Sequence, residues 1–277
     1  MLRLYPRIFI TALSAVIICG CASTSETIKG AGEVTAPEIA AEVSVPEIAP
    51  LKVGITPDYP PIIFKQGEKI KGVEADLAKR LAEDLGKPLE FVELTWAEQI
   101  PALLSGKTDI IMSGMSITKA RGVRIRCTES YLKSGLLAAF RTEDHTRYSS
   151  IDSILTSDST VGVVKGTTSA AFAKKNLTNA ERIYELSNAH DGGFELRRNG
   201  IDLFIHDAPS VIWLVSENEA DLSGLWELLN VEHLAWGITA EDPVFEANVN
   251  NILKKYKEDG TLNKILDRWL PYREALK

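Results

Sequence analysis

From Leu51 onward the apolar and polar positions fall into a regular order of short strands and helices. Residues 51–55 (Leu-Lys-Val-Gly-Ile) alternate as a strand and run into the turn Thr56-Pro57-Asp58-Tyr59-Pro60-Pro61. Val73, Leu77, Leu81 and Leu85 recur every four residues, the spacing of one helix face, and Gly86 and Pro88 mark the end of that helix. The pattern then predicts a strand over 89–94, a helix over 96–104 and a short buried strand over 109–112, followed by the small, polar Ser113-Gly114-Met115-Ser116. This is a βαβαβ order, and right-handed crossovers place the strand ends along one rim.

The same order recurs further along the chain. A strand over 161–164 precedes Gly166-Thr167-Thr168-Ser169, which opens a helix. A strand over 182–186 and a helix over 188–198 follow, and a strand over 202–205 ends in His206-Asp207-Ala208-Pro209. Two α/β lobes are implied. Ligands of open α/β sheets lie beyond the carboxyl ends of the strands, so two facing lobes predict a cleft lined by these polar loops. Residues 231–238 read as a strand returning to the first lobe, and 244–270 as two amphipathic helices broken at Asp259-Gly260. The expected division is lobe 1 over 51–141 plus 237–277 and lobe 2 over 145–231. Connections near 141–145 and 231–237 would form a hinge.

The first fifty residues are of another kind. Arg3 and Arg7 precede an apolar run over 8–20 that is too short to span a bilayer but has the layout of a cleaved export signal. Ile18-Cys19-Gly20-Cys21 resembles a bacterial lipobox, with 1–20 as the signal peptide and Cys21 as the lipid-modified first residue. Cys19 departs from the small or β-branched residue usual at its position. Several acyl chains would anchor the protein stably, and Ala22 after the lipidated cysteine resembles the pattern sent to an outer membrane. Residues 21–50, with the near-duplicates Ala36-Pro37-Glu38-Ile39-Ala40 and Val45-Pro46-Glu47-Ile48-Ala49, read as a flexible tether. The expected location is the periplasm or cell surface.

Composition narrows the function. The 277-residue chain is 45% hydrophobic and 25% charged, with net charge −7 and pI about 5.3. Acids and bases are interspersed, so no basic face exists for nucleic acid. With Cys21 lipidated and Cys19 removed, Cys127 alone remains, which excludes a disulfide framework and reads as a small core or boundary residue. No Ser/His/Asp order, zinc spacing or phosphate loop occurs, and no metal or cofactor is expected. His145, His190, His206 and His233 are scattered and read as incidental.

The stretches that carry a wider resemblance are Val53-Gly-Ile-Thr-Pro-Asp-Tyr-Pro-Pro61, Gly72-Val-Glu-Ala-Asp-Leu-Ala78 and Trp96-Ala-Glu-Gln-Ile-Pro-Ala-Leu103. They continue in the long run from Gly106 to Arg121, in Val161-Gly-Val-Val-Lys-Gly-Thr-Thr168 and in Asp259-Gly-Thr-Leu-Asn-Lys-Ile265. In this order and spacing the chain resembles the amino-acid-binding solute receptors, extracellular family 3, that serve ATP-driven (ABC) importers. The resemblance implies a type II periplasmic-binding-protein-like fold of two lobes joined by hinge strands. It also implies a monomer that presents a small amino-acid-like ligand to an importer permease.

It further implies site residues. A zwitterionic ligand needs a cation for its carboxylate and an anion for its ammonium, because either charge buried unpaired costs several kcal/mol. Arg121 matches the family's carboxylate-gripping arginine and Asp207 its ammonium-binding aspartate; the alternative for Asp207 is a cap on the helix that begins at Ala208-Pro209, and the two roles are compatible. Thr167 and Thr168 offer hydroxyls and backbone N–H groups at a helix start, where a plain N-cap is the alternative. Ser113, Gly114 and Ser116 match head-group positions, Gly114 standing where some relatives carry a hydroxyl. Tyr59 and Trp96 match rings that flank the ligand side chain. Thr56 stands where receptors for basic amino acids carry an acid, which weighs against lysine or arginine, while Glu98, Asp58 and His206 are polar groups without an assigned place. Cys127-Thr-Glu-Ser-Tyr131 departs from the Phe-Ser-x-Pro-Tyr type of segment. The same fold hosts enzymes such as cyclohexadienyl dehydratases, for which His206, Glu98 and Asp207 would be the acid–base candidates, and sensory binding modules.

Overall fold

The computed structural model describes residues 48–273. The export signal, Cys21 and the tether up to residue 47 lie outside them. β1 (Leu51–Ile55) is the strand that the alternation predicts. The proline-rich turn after it leads into a small antiparallel sheet of β2 (Asp58–Tyr59), β3 (Ile63–Gln66) and β4 (Lys69–Lys71). α1 (Val73–Asp84) then buries Val73, Leu77, Ala78 and Leu81, the face given by the four-residue spacing. Each large apolar side chain removed from water in this way contributes about 1.5–3 kcal/mol.

β5 (Leu89–Glu93) follows, and the predicted helix at 96–104 is split in two. Glu98 closes a capping box on Thr95, so 96–98 wind as a single 3-10 turn before α2 (Gln99–Leu104). β6 (Ile110–Ser116) completes the first βαβαβ unit, and β1 lies in parallel register between β5 and β6. The short α3 (Lys119–Gly122), capped by Thr118, leads to β7 (Arg126–Cys127) and β8 (Leu132–Ser134).

The second unit begins with β9 (Leu136–Arg141) and α4 (Ile151–Leu155). It continues through β10 (Thr160–Val164), α5 (Thr168–Asn176), β11 (Arg182–Leu186), α6 (His190–Arg197) and β12 (Leu203–Asp207). α7 (Ala208–Ser216) and β13 (Leu222–Leu225) end it. Its sheet runs β11-β10-β12-β9-β13, with β10 parallel between β11 and β12, the same arrangement as β1 between its neighbours. β14 (Glu232–Ile238) returns to the first sheet, antiparallel to β6, β7 and β8. α8 (Pro243–Glu258) and α9 (Thr261–Trp269) then pack on α1. Trp269 Nε1 donates to Asp76 Oδ2 at 2.9 Å and Tyr256 OH to Asp84 Oδ2 at 2.7 Å.

The fold is two-lobed, and strand pairing fixes where the chain changes lobe. β9 pairs with β12 and β13, so the first change falls at Gly135 rather than at 141–145. β14 lies wholly in the first sheet, so the return falls between β13 and Glu232. The two connections touch: Leu136 N donates to Asn230 Oδ1 at 2.9 Å, and a Cβ at Gly135 would collide with the Asn230 carbonyl. Ala208 N, next to Asp207, donates to Gly135 O at 2.8 Å, which ties the end of β12 to this crossing. Cys127 is half-buried opposite Gly237, and burial raises its thiol pKa. Thr128 and Tyr131 bond to β14 and α1, so the departing segment over 127–131 belongs to the first lobe's core and not to the connections.

Candidate functional site

The ends of β1, β6, β10 and β12 converge on one cavity of about 40 Å³ between the lobes. It is lined by all nine residues that the sequence singles out: Tyr59, Trp96, Ser113, Gly114, Ser116, Arg121, Thr167, Thr168 and Asp207. Thr56, Asp58, Val164, Ser187, Ala189 and His206 complete the wall. Glu98 does not reach it, because its carboxylate is held by Thr95 on the outer face of the 3-10 turn.

Arg121 enters from α3. Thr118 Oγ1 accepts from its backbone N–H at 3.2 Å, and its Nη1 donates to Ser116 O at 2.7 Å, so the guanidinium is aimed by the strand end it serves. Its Cζ lies 5.1 Å from the centre of the Trp96 ring, a cation–π distance. Trp96 in turn donates from Nε1 to Gly166 O of the other lobe at 3.0 Å.

Asp207 is the last residue of β12 and is buried. Its side chain does not cap α7; Oδ2 instead accepts from Tyr59 OH across the cleft at 2.6 Å. Burial, and next the Glu232 charge, push its carboxyl up to about 7 against the opposing pull of Tyr59 and Arg121. Thr167 is a plain N-cap of α5, accepting from Ala170 N and donating to Val164 O at 2.6 Å. Thr168 points across the lobes and donates to Glu232 Oε2 at 3.0 Å.

Ser113 Oγ accepts from Thr56 N at 2.8 Å, joining the ends of β6 and β1. Gly114 has φ +67, and a Cβ there would stand 2.5 Å from Tyr59 Cε1. The absent hydroxyl at this position is therefore the condition for the Tyr59 ring to lie over the strand end. Ser116 Oγ donates to Glu232 Oε2 at 2.5 Å.

Glu232 was not singled out from the sequence, although it joins Ser116 of the first lobe, Thr168 of the second and Asn230 at the crossing. Nothing in a lone acid at a strand start distinguishes it. His206, grouped with the scattered histidines, lines the cavity and is 5% exposed. Its ring stacks on Phe204 at 5.6 Å and meets Tyr59 edge-on at 5.3 Å, and its Nδ1 has no hydrogen-bond partner among the described residues. Burial lowers its pKa to about 4, so the ring is neutral at physiological pH.

Among the described residues no group of three or more His, Cys, Asp or Glu side chains could hold a metal ion, and no helix is long and apolar enough to cross a membrane. The arrangement offers one cation, two nearby carboxylates and several hydroxyls to a small polar molecule, with aromatic rings on two sides.

Residues 51–272 match the bacterial extracellular solute-binding proteins, family 3. A probable histidine-binding protein of Campylobacter jejuni is 31% identical over 61% of the chain, an alignment that spans 64% of that protein, just under two thirds of its length. The cyclohexadienyl dehydratase of Pseudomonas aeruginosa is 27% identical over 80% of the chain and 83% of the enzyme. Among solved structures, an ancestral amino-acid-binding protein described as a precursor of cyclohexadienyl dehydratase superposes with a TM-score of 0.75. It is 33% identical, over 80% of this chain and 95% of that one.

Proposed function

The chain belongs to the bacterial extracellular solute-binding proteins, family 3, and from that premise we propose that it captures an amino-acid-like ligand outside the cytoplasm and delivers it to an ABC importer. One observation carries this reading: Arg121 of the first lobe and Asp207 of the second line one cavity, a cation and an anion set for the two ends of a zwitterion. The ligand carboxylate meets the Arg121 guanidinium and the N–H groups at the start of α5, while its ammonium takes the place of Tyr59 OH as donor to Asp207. Tyr59 and Trp96 flank the bound molecule.

Closure follows from differential contact. Direct bonds already cross the cleft, from Tyr59 to Asp207, Trp96 to Gly166 and Thr168 to Glu232. A ligand that touches both lobes makes its full set of contacts only in the closed state and so shifts the population toward it. The importer reads that closure. The protein acts as a monomer held by acyl chains on Cys21, in the periplasm or at the cell surface, and Cys21→Ser releases it from the membrane fraction.

Binding rather than catalysis is favoured because Glu98 lies outside the cavity and the two remaining acid–base candidates, Asp207 and His206, stand where they would hold a ligand's N–H groups. The test is a thermal-shift screen of the purified protein against amino acids and small carboxylates, with product analysis for each hit. A ligand at about 100 times its dissociation constant adds about 2.7 kcal/mol. Stabilisation by an unchanged amino acid, lost in Arg121→Ala, supports a receptor; conversion of a hit to product supports the enzyme.

A further inference from the structure

Once the head group is assigned to Arg121 and Asp207, Asp58, His206, Thr56 and Ser187 remain as polar wall around the rest of the ligand, with Val164 and Ala189 as its apolar part. Thr56 Oγ1 is engaged as acceptor of Gln99 Nε2 at 2.9 Å. His206 Nδ1 has no partner among the described residues, and the Asp58 carboxyl, held by the backbone N–H groups of Asp58 and Ala189, has no lysine or arginine paired with it among them. They stand on opposite lobes, Asp58 on β2 and His206 on β12, and line the same cavity.

The charges point the same way. Arg121 is the one cation of the cavity wall, against the carboxyls of Asp58 and Asp207. A zwitterionic head group adds one charge of each sign and leaves Asp58 unmatched. Glu232 does not relieve the excess: it is a further buried acid, held by Ser116, Thr168 and Asn230. An aliphatic side chain would strip water from Asp58 and His206 and return no hydrogen bond, and an acidic one would add repulsion. A positive, nitrogen-bearing side chain satisfies both.

We propose that this chain selects an amino acid with a cationic, hydrogen-donating side chain, held between the Asp58 carboxylate and the His206 ring. The proposal rests on the receptor reading above. It reverses the expectation drawn from Thr56, since the acid missing at position 56 is supplied two residues later, from the start of the small antiparallel sheet. Burial raises the Asp58 pKa while the His206 ring and the backbone N–H groups of Asp58 and Ala189 lower it, and a bound cation would add to the lowering. The neutral state of His206 leaves it a lone pair with which to accept from the same side chain. Because the two groups belong to different lobes, such a side chain would also favour closure.

The experiment is calorimetric titration near neutral pH of the wild-type protein, Asp58→Asn and Arg121→Ala with L-arginine, L-lysine, L-glutamine, L-glutamate and L-leucine. Arginine or lysine is expected to bind at least about tenfold tighter than glutamine, which corresponds to about 1.4 kcal/mol. Asp58→Asn should remove most of that preference while its melting temperature stays near wild type. His206→Phe keeps a ring against Phe204 and lacks the nitrogen; it should weaken the cationic ligand. Tightest binding of glutamate or leucine, or an undiminished preference in Asp58→Asn, would overturn the proposal while leaving the receptor intact. If none of the five bound, the receptor reading and the proposal would fall together, whereas binding lost only in Arg121→Ala would uphold the first without the second.

Discussion

Glu74 in the first lobe and Asp207 in the second are both buried carboxyls that desolvation holds up to about 7, yet their surroundings give them opposite roles. Glu74 sits in the first turn of α1 and accepts from three donors: Gly114 N at 3.0 Å, Tyr131 OH at 2.7 Å and Trp236 Nε1 at 2.8 Å. These donors belong to β6, to the segment before β8 and to β14, so one fully buried carboxyl joins four parts of the lobe. Asp207 accepts from one protein donor, Tyr59 OH, and lines the cavity. A buried acid saturated by its own protein is a structural node. One with acceptor capacity still open toward a cavity is suited to a ligand's N–H groups.

The largest expected effect comes from removing the node. Glu74→Leu leaves three donors buried without a partner, each costing about 1–3 kcal/mol, so unfolding stability should fall by several kcal/mol. Chemical denaturation measures it. Asp207→Asn should act the other way round: stability unchanged or raised, because a desolvated charge is gone, and amino-acid affinity weakened by about 2–5 kcal/mol because the ligand's ammonium is left buried opposite a neutral amide. If both variants lost stability alike, the distinction between the two carboxyls would fail.

The pH dependence sharpens the same contrast. The ordinary values of Glu74 and Asp207 are 4.5 and 3.8 and their folded values about 7. The folded protein therefore binds more protons than the unfolded chain in that window. The ligand-free protein should gain stability as pH falls from about 8 to about 6.5, and Glu74→Gln should remove part of the gain. Below about 6.5 His206 opposes this, because its folded value of about 4 lies under its ordinary 6.5 and stability is lost as the unfolded chain takes up that proton. Ligand affinity should run against the first trend, falling as Asp207 is protonated. Melting curves with and without ligand separate the two.

The difference between the carboxyls also explains what could be read in the sequence. Asp207 ends the last apolar strand of its βαβαβ unit, and Arg121 stands on the short helix that follows the corresponding strand of the other unit; both positions face the strand-end rim, and both residues line the cavity there. Glu74 reads as an ordinary acid in a helix's first turn; its partners Tyr131 and Trp236 are far away in the chain, and no local pattern announces a long-range node. Glu232 is hidden for the same reason. β9 falls inside the expected first lobe but pairs in the second sheet: Leu136-Leu137-Ala138-Ala139-Phe140 is apolar throughout, and a run without alternation does not reveal which sheet it joins. The small sheet of β2, β3 and β4 was hidden by its prolines and by strands too short to establish a period.

Gly114 links both acids, because its N–H serves Glu74 while its bare Cα makes room for the Tyr59 ring that donates to Asp207. Gly114→Ala places a Cβ in the left-handed region, at about 1–2 kcal/mol, and against Tyr59 as well. Stability should fall by that order and affinity should fall with it as the Tyr59 ring is pushed out of its place beside the ligand. A variant that lost stability alone would mean that the ring's position is immaterial to the ligand.

The smallest expected effect tests whether Glu232 shares the character of a node or of a site. Its carboxylate is engaged by Ser116, Asn230 and Thr168, as Glu74 is by its three donors, but Thr168 belongs to the opposite lobe. Thr168→Val deletes that one cross-cleft bond and keeps the shape of the helix start. A hydrogen bond to a charged group contributes about 1.5–3 kcal/mol when buried, and less at this half-buried end where water can replace it. Equilibrium unfolding of the ligand-free protein should change little, while ligand should dissociate a few-fold faster, because the bond is lost only on opening. If unfolding stability fell and the off-rate stayed fixed, Glu232 would belong with Glu74 as part of the scaffold, and the cross-lobe contact would be incidental to closure.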